Sequence, residues 1–456
     1  MDRLHIDGPC RLAGTIDASG AKNAALPILA ACLLAEAPVT LHNLPRVRDI
    51  RTMDKLLNHL GVASTLGDDG GLILTPDGNG NPDDAPYELV KTMRASVLVL
   101  GPLVARRGRA RVSLPGGCAI GVRPIDQHLR GLEALGATVT LEHGYVEVRA
   151  DRLTGAPFRF AVPTVTGTEN VLMAAACAQG TTVLENCARE PEIVDLATFL
   201  RTLGARIEGD GTSTITVEGV ERLGGGSHRV IADRIEIGTY LIGAAMTRGD
   251  VTVRGARPAD LAPLLEKLAD IGAVVEVLDD AGDRRDAVTH SRIGGQPHAS
   301  IRVVATDAAL HARDIITAPH PGFPTDLQAQ YLALMTRAQG RATVCETVFE
   351  NRFQHVPELQ RMGAQIRVEG RLAHVDGPAA LSGAQVMATD LRASACLVLA
   401  GLVAEGRTVV DRIYHLDRGY QEMERKLQKL GASVRRVTDR DPEHSPPSSS
   451  PAPDAT

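Results

Sequence analysis

The chain has 456 residues, of which 44% are hydrophobic, 23% charged and 3% aromatic, with no Trp and a formal net charge of −6. This is the balance of a folded globular protein, and at ~150 residues per domain it implies two or three domains. Mild acidity and scarce aromatic residues exclude a general nucleic-acid or anionic-lipid binder, so any anion site must be a local cluster of cations. No apolar run reaches the roughly 18 residues of a membrane span, and the start lacks the basic-then-apolar order of a secretion signal. The seven Cys contain no CxxC pair, which predicts neither a disulfide framework nor a metal site. A cytoplasmic α/β protein is expected.

Taken in chain order, one pattern recurs. A small-residue-rich helix is predicted over 24–34, a strand over 39–41, and an amphipathic helix ending at Leu60-Gly61-Val62. The next unit has a helix over 96–104, a turn at Gly108, a helix ending at Leu135-Gly136-Ala137 and a strand over 138–141. The third runs from a helix over 171–178 through Gly180 to Leu203-Gly204-Ala205. The fourth has a turn at Gly249, a strand over 251–253 and the phrase Ile271-Gly272-Ala273. The fifth passes Gly340 and reaches Met362-Gly363-Ala364, and the sixth has a helix over 394–403, Gly406 and Leu430-Gly431-Ala432. The glycines of the closing phrase are 75, 68, 68, 91 and 68 residues apart, and three equal steps mark an internal repeat. Each of these glycines is predicted to take the left-handed position after a helix. The long step holds a polar insert, 279–300, expected as a surface loop. Six units group into two domains of three, and the Pro/Ser-rich tail 441–456 is expected to be disordered.

The start of each first helix is polar although the helix is apolar: Lys22-Asn23, Arg94, Thr168-Glu169-Asn170, Asp233 with Glu236, Asp326, and Asp390 with Arg392. Ordinary helix capping accounts for Asp326 and Asp390. Lys22, Arg94 and Arg392 oppose the helix dipole, which points to an external anion. The loop 113–124 carries three Gly, two Pro and one thiol, Cys118, with Arg123 near enough in sequence to lower its pKa. Cys32, Cys177 and Cys396 lie in apolar helices and are expected as small buried hydrophobes. The alternating charges of 411–420 read equally well as a solvated loop. No GxxxxGK[ST] phosphate loop or HExxH metal motif occurs, and Gly224-Gly225-Gly226 reads as a turn.

With these residues on view, the sequence resembles the enolpyruvyl transferases over about 4–437. The likeness is carried by Ser19-Gly20-Ala21-Lys22-Asn23-Ala24, Lys91-Thr92-Met93-Arg94-Ala95-Ser96, Leu114-Pro115-Gly116-Gly117-Cys118 and Arg189-Glu190-Pro191-Glu192-Ile193-Val194-Asp195. It continues in Phe323-Pro324-Thr325-Asp326, Val348-Phe349-Glu350-Asn351-Arg352-Phe353, Ala388-Thr389-Asp390-Leu391-Arg392-Ala393-Ser394 and Asp417-Arg418-Gly419-Tyr420. The resemblance implies an α/β fold of two inside-out α/β barrel domains, each of three βαβαββ repeats, with the active-site cleft between them. One domain would be 22–231, including a lid at 113–124, and the other 1–21 with 232–440.

The implied reaction moves the enolpyruvyl group of phosphoenolpyruvate to the 3′-hydroxyl of UDP-N-acetylglucosamine and releases phosphate, through a tetrahedral ketal, at the first committed step of peptidoglycan synthesis. By the same resemblance Cys118 is the acid, can hold phosphoenolpyruvate covalently and is the target of fosfomycin-type epoxides. Asp326 is the base for the hydroxyl, or stabilises it by hydrogen bonding. Lys22, Arg123 and Arg418 hold the phosphate, Arg392 with Arg418 the carboxylate, and Asn23 the ketal, while Asp390 orients neighbouring cations. Lys22 and Arg418 count among the catalytic residues. Asn23, Arg94, Arg123, Pro124, Ile125, Asp126, Gln127, Thr166, Gly167, Asp326 and Val348 receive the sugar nucleotide. The loop 163–167 reads Pro-Thr-Val-Thr-Gly here, where some relatives carry Ser-Val-Gly. No cofactor, metal, nucleic acid or membrane partner is implied. A synthase acting on shikimate 3-phosphate is the alternative enzyme, which the Cys118 loop and the sugar-nucleotide segments disfavour. A non-catalytic sensor of sugar nucleotides is disfavoured by Lys22, Cys118, Asp326, Arg392 and Arg418 occurring together.

Overall fold

The computed structural model describes residues 2–76, 83–91, 93–114, 125–279, 284–285, 299–305 and 310–438. Its strands form six sheets of one design. In the third unit, Pro157–Arg159 runs parallel to Thr181–Glu185, which pairs antiparallel with Thr214–Glu218, which pairs antiparallel with Arg206–Glu208. The second sheet repeats this order with Asp84–Ala85, Arg109–Ser113, Tyr145–Arg149 and Thr138–Glu142. The fifth does so with Ile315–Ile316, Gly340–Cys345, Leu372–Gly377 and Gln365–Glu369.

The remaining sheets borrow strands from far along the chain. The parallel edge of the first sheet is Gly226–Arg229, set against Val39–His42. The parallel edge of the fourth is Ala13–Asp17, set against Asp250–Ala256. In the sixth, Arg3–Gly8 lies between Gly406–Asp411 and Ser433–Val437. Each set of three units thereby closes on itself, and the chain passes between the two sets twice. The passages touch: Ala21 N–H donates to the Ile231 carbonyl at 2.7 Å, and Asp233 N–H to the Ser19 carbonyl at 2.8 Å. Gly20 sits at this crossing, where an added Cβ would overlap the Asn43 carbonyl oxygen.

Buried apolar residues form two separate cores, one from Ala21 to Val230 and one from Leu4 to Ile16 with Ile235 to Val434. The inner helices are apolar on every side, as a helix enclosed by sheets must be. Every residue from Ile235 to Met246 in Arg234–Met246, and from Arg392 to Val403 in Leu391–Val403, is buried. The outer helices are amphipathic: Arg48–His59 turns Ile50, Met53, Leu56 and Leu57 inward. All six closing glycines take the left-handed conformation, with φ between 84° and 108°.

Three local expectations are corrected. The third inner helix is Val165–Ala175, so Thr168, Glu169 and Asn170 lie beyond its first turn and are buried. The insert is not loop throughout: Arg284–Arg285 and the start of Ala299–Val304 are strands, and its other residues after Asp279 lie outside the described residues. The turn expected at Gly249 is present, and its left-handed residue is Arg248, φ 52°. Cys32 and Cys396 are buried, but Cys177 is only partly so. The tail 441–456 lies outside the described residues. Among the described residues, no helix is long and apolar enough to cross a membrane, and no group of three or more His, Cys, Asp or Glu could hold a metal ion.

Candidate active site

Two cations from opposite halves of the chain meet one carboxylate. Lys22 opens the helix Lys22–Ala31, and its Nζ lies 3.4 Å from Oδ2 of Asp49. Arg418 ends the short 3₁₀ helix Ile413–Arg418 and donates from Nε to Asp49 Oδ1 at 3.0 Å and from Nη2 to Oδ2 at 3.4 Å. Burial lowers the Lys22 pKa, Asp49 pulls it back, and the nearby charges of Arg392 and Arg418 lower it further. Asp326 is also close enough to favour its charged form. Lys22 and Arg392 of the helix-start pattern therefore share one electrostatic field with Arg418, a residue outside that pattern. That pattern takes no account of Asp49, which offsets part of the positive charge from within the protein.

Asp326 is not the helix cap it was expected to be, because its carboxylate makes no capping bond. It accepts instead from Arg352 Nη2 at 2.6 Å and Arg392 Nη2 at 2.8 Å. Burial alone would raise its pKa, but Arg392 and Arg352 outweigh burial and hold the carboxyl well below its usual range. Arg352 also donates to Thr325 Oγ1 at 2.8 Å, and that hydroxyl donates to Glu346 at 2.8 Å. Asp390 is a true cap: one carboxylate oxygen accepts from the backbone N–H of Arg392 and Ala393 at 2.8 and 3.0 Å. It fixes the start of the helix that carries Arg392.

The segment 411–420 is no solvated loop, since Ile413, Leu416 and Tyr420 are buried. The Tyr420 hydroxyl meets Thr239 Oγ1 at 2.9 Å, Gln330 Nε2 at 3.2 Å and Arg392 Nη1 at 3.4 Å. Thr239 gives its own hydrogen to the Ile235 carbonyl, so Tyr420 donates to Thr239 and accepts from Gln330 and Arg392.

A second group gathers the residues expected at the nucleotide. Asp126 and Gln127 open the helix Asp126–Ala134, preceded by Ile125. The Gln127 side chain is taken up internally: Oε1 accepts from Ala161 N–H at 2.6 Å, and Nε2 donates to the Val162 carbonyl at 3.1 Å. The Gly167 N–H bonds Thr164 Oγ1, and Thr166 is half-buried against His128 at 3.2 Å. Arg94 is close enough to His128 to lower its pKa. Val348 has its N–H bonded to Glu346 Oε1 at 2.8 Å. Asn23 is half-buried, with no hydrogen bond to another described residue. Cys118, Arg123 and Pro124 lie outside the described residues.

The two halves also meet where Arg234 donates to Glu192 at 3.0 and 3.3 Å and where His320 N–H donates to Glu190 at 3.3 Å. Asp49, Arg352, Tyr420, Glu190 and Glu192 were given no role from sequence. Four of these five lie inside the motifs that carry the family resemblance, which was the signal available. Asp49 has none beyond its place in the first turn of an outer helix.

The family model for EPSP synthase (3-phosphoshikimate 1-carboxyvinyltransferase) matches residues 6–427. A UDP-N-acetylglucosamine 1-carboxyvinyltransferase of Magnetococcus marinus is 54% identical over 96% of this chain and 100% of its own. One from an Anaeromyxobacter species is 56% identical over 96% and 99%. Among solved structures, the enolpyruvyl transferase NikO from Streptomyces tendae aligns with a TM-score of 0.81 at 27% identity, covering 96% of this chain and 99% of that one. An EPSP synthase from Acinetobacter baumannii shares the fold, with a TM-score of 0.73 at 18% identity over 96% and 100%. The chain belongs to the enolpyruvyl transferase family and, within it, to the UDP-N-acetylglucosamine 1-carboxyvinyltransferases.

Proposed function

We propose that this protein transfers the enolpyruvyl group of phosphoenolpyruvate to the 3′-hydroxyl of UDP-N-acetylglucosamine, in the cytoplasm and without a cofactor. The observation that carries the reading is the convergence of Lys22, Arg392 and Arg418 from both halves of the chain, in a member of this family. Phosphoenolpyruvate brings a phosphate and a carboxylate to one carbon centre, and forked guanidinium contacts suit both. The two cores are read as the two domains, 22–231 and 1–21 with 232–440, with substrates bound between them.

In the addition step the sugar O3 bonds to C2 of phosphoenolpyruvate, a proton reaches C3, and the hydroxyl proton leaves. In the elimination step a C3 proton and phosphate depart, which restores the vinyl group. Cys118 supplies the first proton and can itself hold phosphoenolpyruvate; Arg123 tunes the thiol. Lys22, Arg123 and Arg418 take the phosphate, and Arg392 with Arg418 the carboxylate. A carboxylate as acidic as Asp326 is a poor proton acceptor, so its environment favours orienting the 3′-hydroxyl by hydrogen bonding over abstracting its proton. Asn23 reaches the ketal. Arg94, Arg123, Pro124, Ile125, Asp126, Thr166, Gly167 and Val348 line the nucleotide, with Gln127 serving through its backbone.

The test is phosphate release from phosphoenolpyruvate with UDP-N-acetylglucosamine, with shikimate 3-phosphate or with neither, for wild type and Cys118→Ala. Release that depends on the sugar nucleotide and is lost in the variant supports the reading. Release only with shikimate 3-phosphate, or with neither acceptor, overturns it.

A further inference from the structure

Behind the residues assigned to the nucleotide lies a buried polar chain whose hydrogens can be placed one after another. Gly101 N–H donates to Asn170 Oδ1 at 2.6 Å. An added Cβ at Gly101 would overlap the carbonyl oxygen and Oδ1 of Asn170, so only glycine brings this N–H so close. With Oδ1 assigned, the Asn170 amide nitrogen faces the Val97 carbonyl at 3.2 Å and His128 Nδ1 at 2.9 Å. A flipped amide would set N–H against N–H and oxygen against oxygen. Nδ1 of His128 must then carry its lone pair and accept.

His128 and Asn170 are 2% and 0% exposed, and burial together with the charge of Arg94 lowers the His128 pKa to about 3. The ring is neutral at pH 7, and its single hydrogen sits on Nε2. That atom lies 3.2 Å from Thr166 Oγ1, so the ring donates and the hydroxyl accepts. Thr166 makes no other side-chain hydrogen bond among the described residues, and its own hydrogen is unspent.

We propose that His128 is a positioning and specificity-determining residue: by donating to Thr166 Oγ1 it leaves the Thr166 hydrogen free to point toward the ligand, favouring an acceptor oxygen of the sugar nucleotide. This rests on the functional reading above, which assigns Thr166 to that substrate. Neutral His128 also spares Arg94 a like charge beside it. The same chain ties the helix Val165–Ala175 to Leu100–Arg107 through Asn170 and to Asp126–Ala134 through His128, which sets the wall of the site as well as the hydroxyl.

The first experiment is nitrogen NMR of histidine-labelled wild-type enzyme at neutral pH, with the His128 signals assigned from His128→Gln. The Nε2–H tautomer is expected, and an Nδ1–H tautomer or an imidazolium overturns the proposal. The second is steady-state kinetics of His128→Leu, Thr166→Val and the double variant. His128→Leu and Thr166→Val each raise the KM for UDP-N-acetylglucosamine by about tenfold, roughly the worth of one lost hydrogen bond. The KM for phosphoenolpyruvate and kcat stay within about twofold. The double variant is no worse than Thr166→Val, and His128→Gln, whose amide can donate from near the Nε2 position, recovers most of the loss. Additive losses, an equal rise in both KM values, or no rise overturn the proposal. If His128→Leu does not fold, His128→Gln with and without Thr166→Val decides it: a full tenfold rise for His128→Gln alone, or a further rise in the double variant, overturns it. Calorimetry of Thr166→Val separates the acceptor: weaker binding of UDP but not of uridine points to the diphosphate, and weaker binding of both to the nucleoside. Weaker binding of UDP-N-acetylglucosamine with UDP and uridine unchanged points to the sugar, and equal binding of all three to wild type and variant overturns the proposal. Absence of turnover with UDP-N-acetylglucosamine in wild type sinks the functional reading, whereas normal turnover with unchanged variants sinks this inference alone.

Discussion

Asp49 and Arg418 come from opposite halves of the chain and meet through two contacts, Nε to Oδ1 at 3.0 Å and Nη2 to Oδ2 at 3.4 Å, while Lys22 approaches the same carboxylate at 3.4 Å. One buried anion thus holds close two cations that would otherwise repel each other. Asp49→Asn keeps the shape and removes the charge. Lys22 then loses the interaction that opposes its desolvation, and its pKa falls further. The expected outcome is a rise of about 10- to 100-fold in the KM for phosphoenolpyruvate, in line with loss of a buried charge partner. The alkaline limb of kcat/KM should also move to lower pH, because Lys22 deprotonates earlier. A profile identical to wild type would show that Asp49 has no bearing on either cation.

Arg352 is the second control point, because it shares Asp326 with Arg392. With both guanidiniums present Asp326 ionises well below the usual carboxylate range, so its protonation puts no acid limb on kcat/KM between pH 5 and 8. Arg352→Gln removes one of the two charges that oppose burial, and the Asp326 pKa rises. An acid limb should then move up into the measurable range, with kcat reduced by about tenfold or more as Asp326 and Arg392 lose alignment. Loss of activity with no change in the shape of the profile would mean that Arg352 acts only on packing.

Much of the fold was legible because its signals are local. Gly61, Gly136, Gly204, Gly272, Gly363 and Gly431 each end a helix in the left-handed conformation, a requirement written in the residue itself. The borrowed strands were not legible, since nothing in 3–8, 13–17 or 226–229 states which sheet each of them joins. The cations of the site showed through Lys22 and Arg392, whose charge is wrong for a helix start. Their counter-ions did not, because Asp49 is an ordinary first-turn acid until the fold sets it against Arg418. Asp326 misled for the same reason: an aspartate at a helix start reads as a cap, and only tertiary structure brings Arg352 and Arg392 to it.

Gly20 tests the crossing between the halves. Its added Cβ would overlap the Asn43 carbonyl oxygen, a backbone atom that cannot swing aside as a side-chain tip can. The surrounding bonds, Ala21 N–H to Ile231 and Asp233 N–H to Ser19, tie both passages together and leave little room to shift. Gly20→Ala should cost about 3 kcal/mol or more, at the severe end for a single substitution. Thermal denaturation is the measurement, with Gly70→Ala as the comparison. Gly70 has open space around it but a φ of 78°, so its loss should be limited to the left-handed strain of about 1 kcal/mol. Equal loss at both positions would remove the steric argument.

Asp260 offers a stability test that runs on pH. It sits in the 3₁₀ helix Pro258–Leu261, with Arg257 3.5 Å away and its side chain 12% exposed. Burial raises its pKa to about 6; Arg257 and Arg234 oppose this, and the carboxylates of Glu192 and Asp195 add to it. A carboxyl whose pKa is higher in the fold binds its proton more tightly there than in the unfolded chain. Its contribution to stability is complete below about pH 4 and is lost as the pH climbs to about 6. Asp260→Asn stays neutral throughout, so it should match wild type near pH 4 and exceed it above pH 6. The gain is on the order of 1–3 kcal/mol, set by a shift of about two units less the lost contact with Arg257. The measurement is the difference in unfolding free energy between variant and wild type from pH 4 to 8, at fixed salt. A difference that shrinks with rising pH would mean that Arg257 holds Asp260 ionised and that burial is the smaller effect.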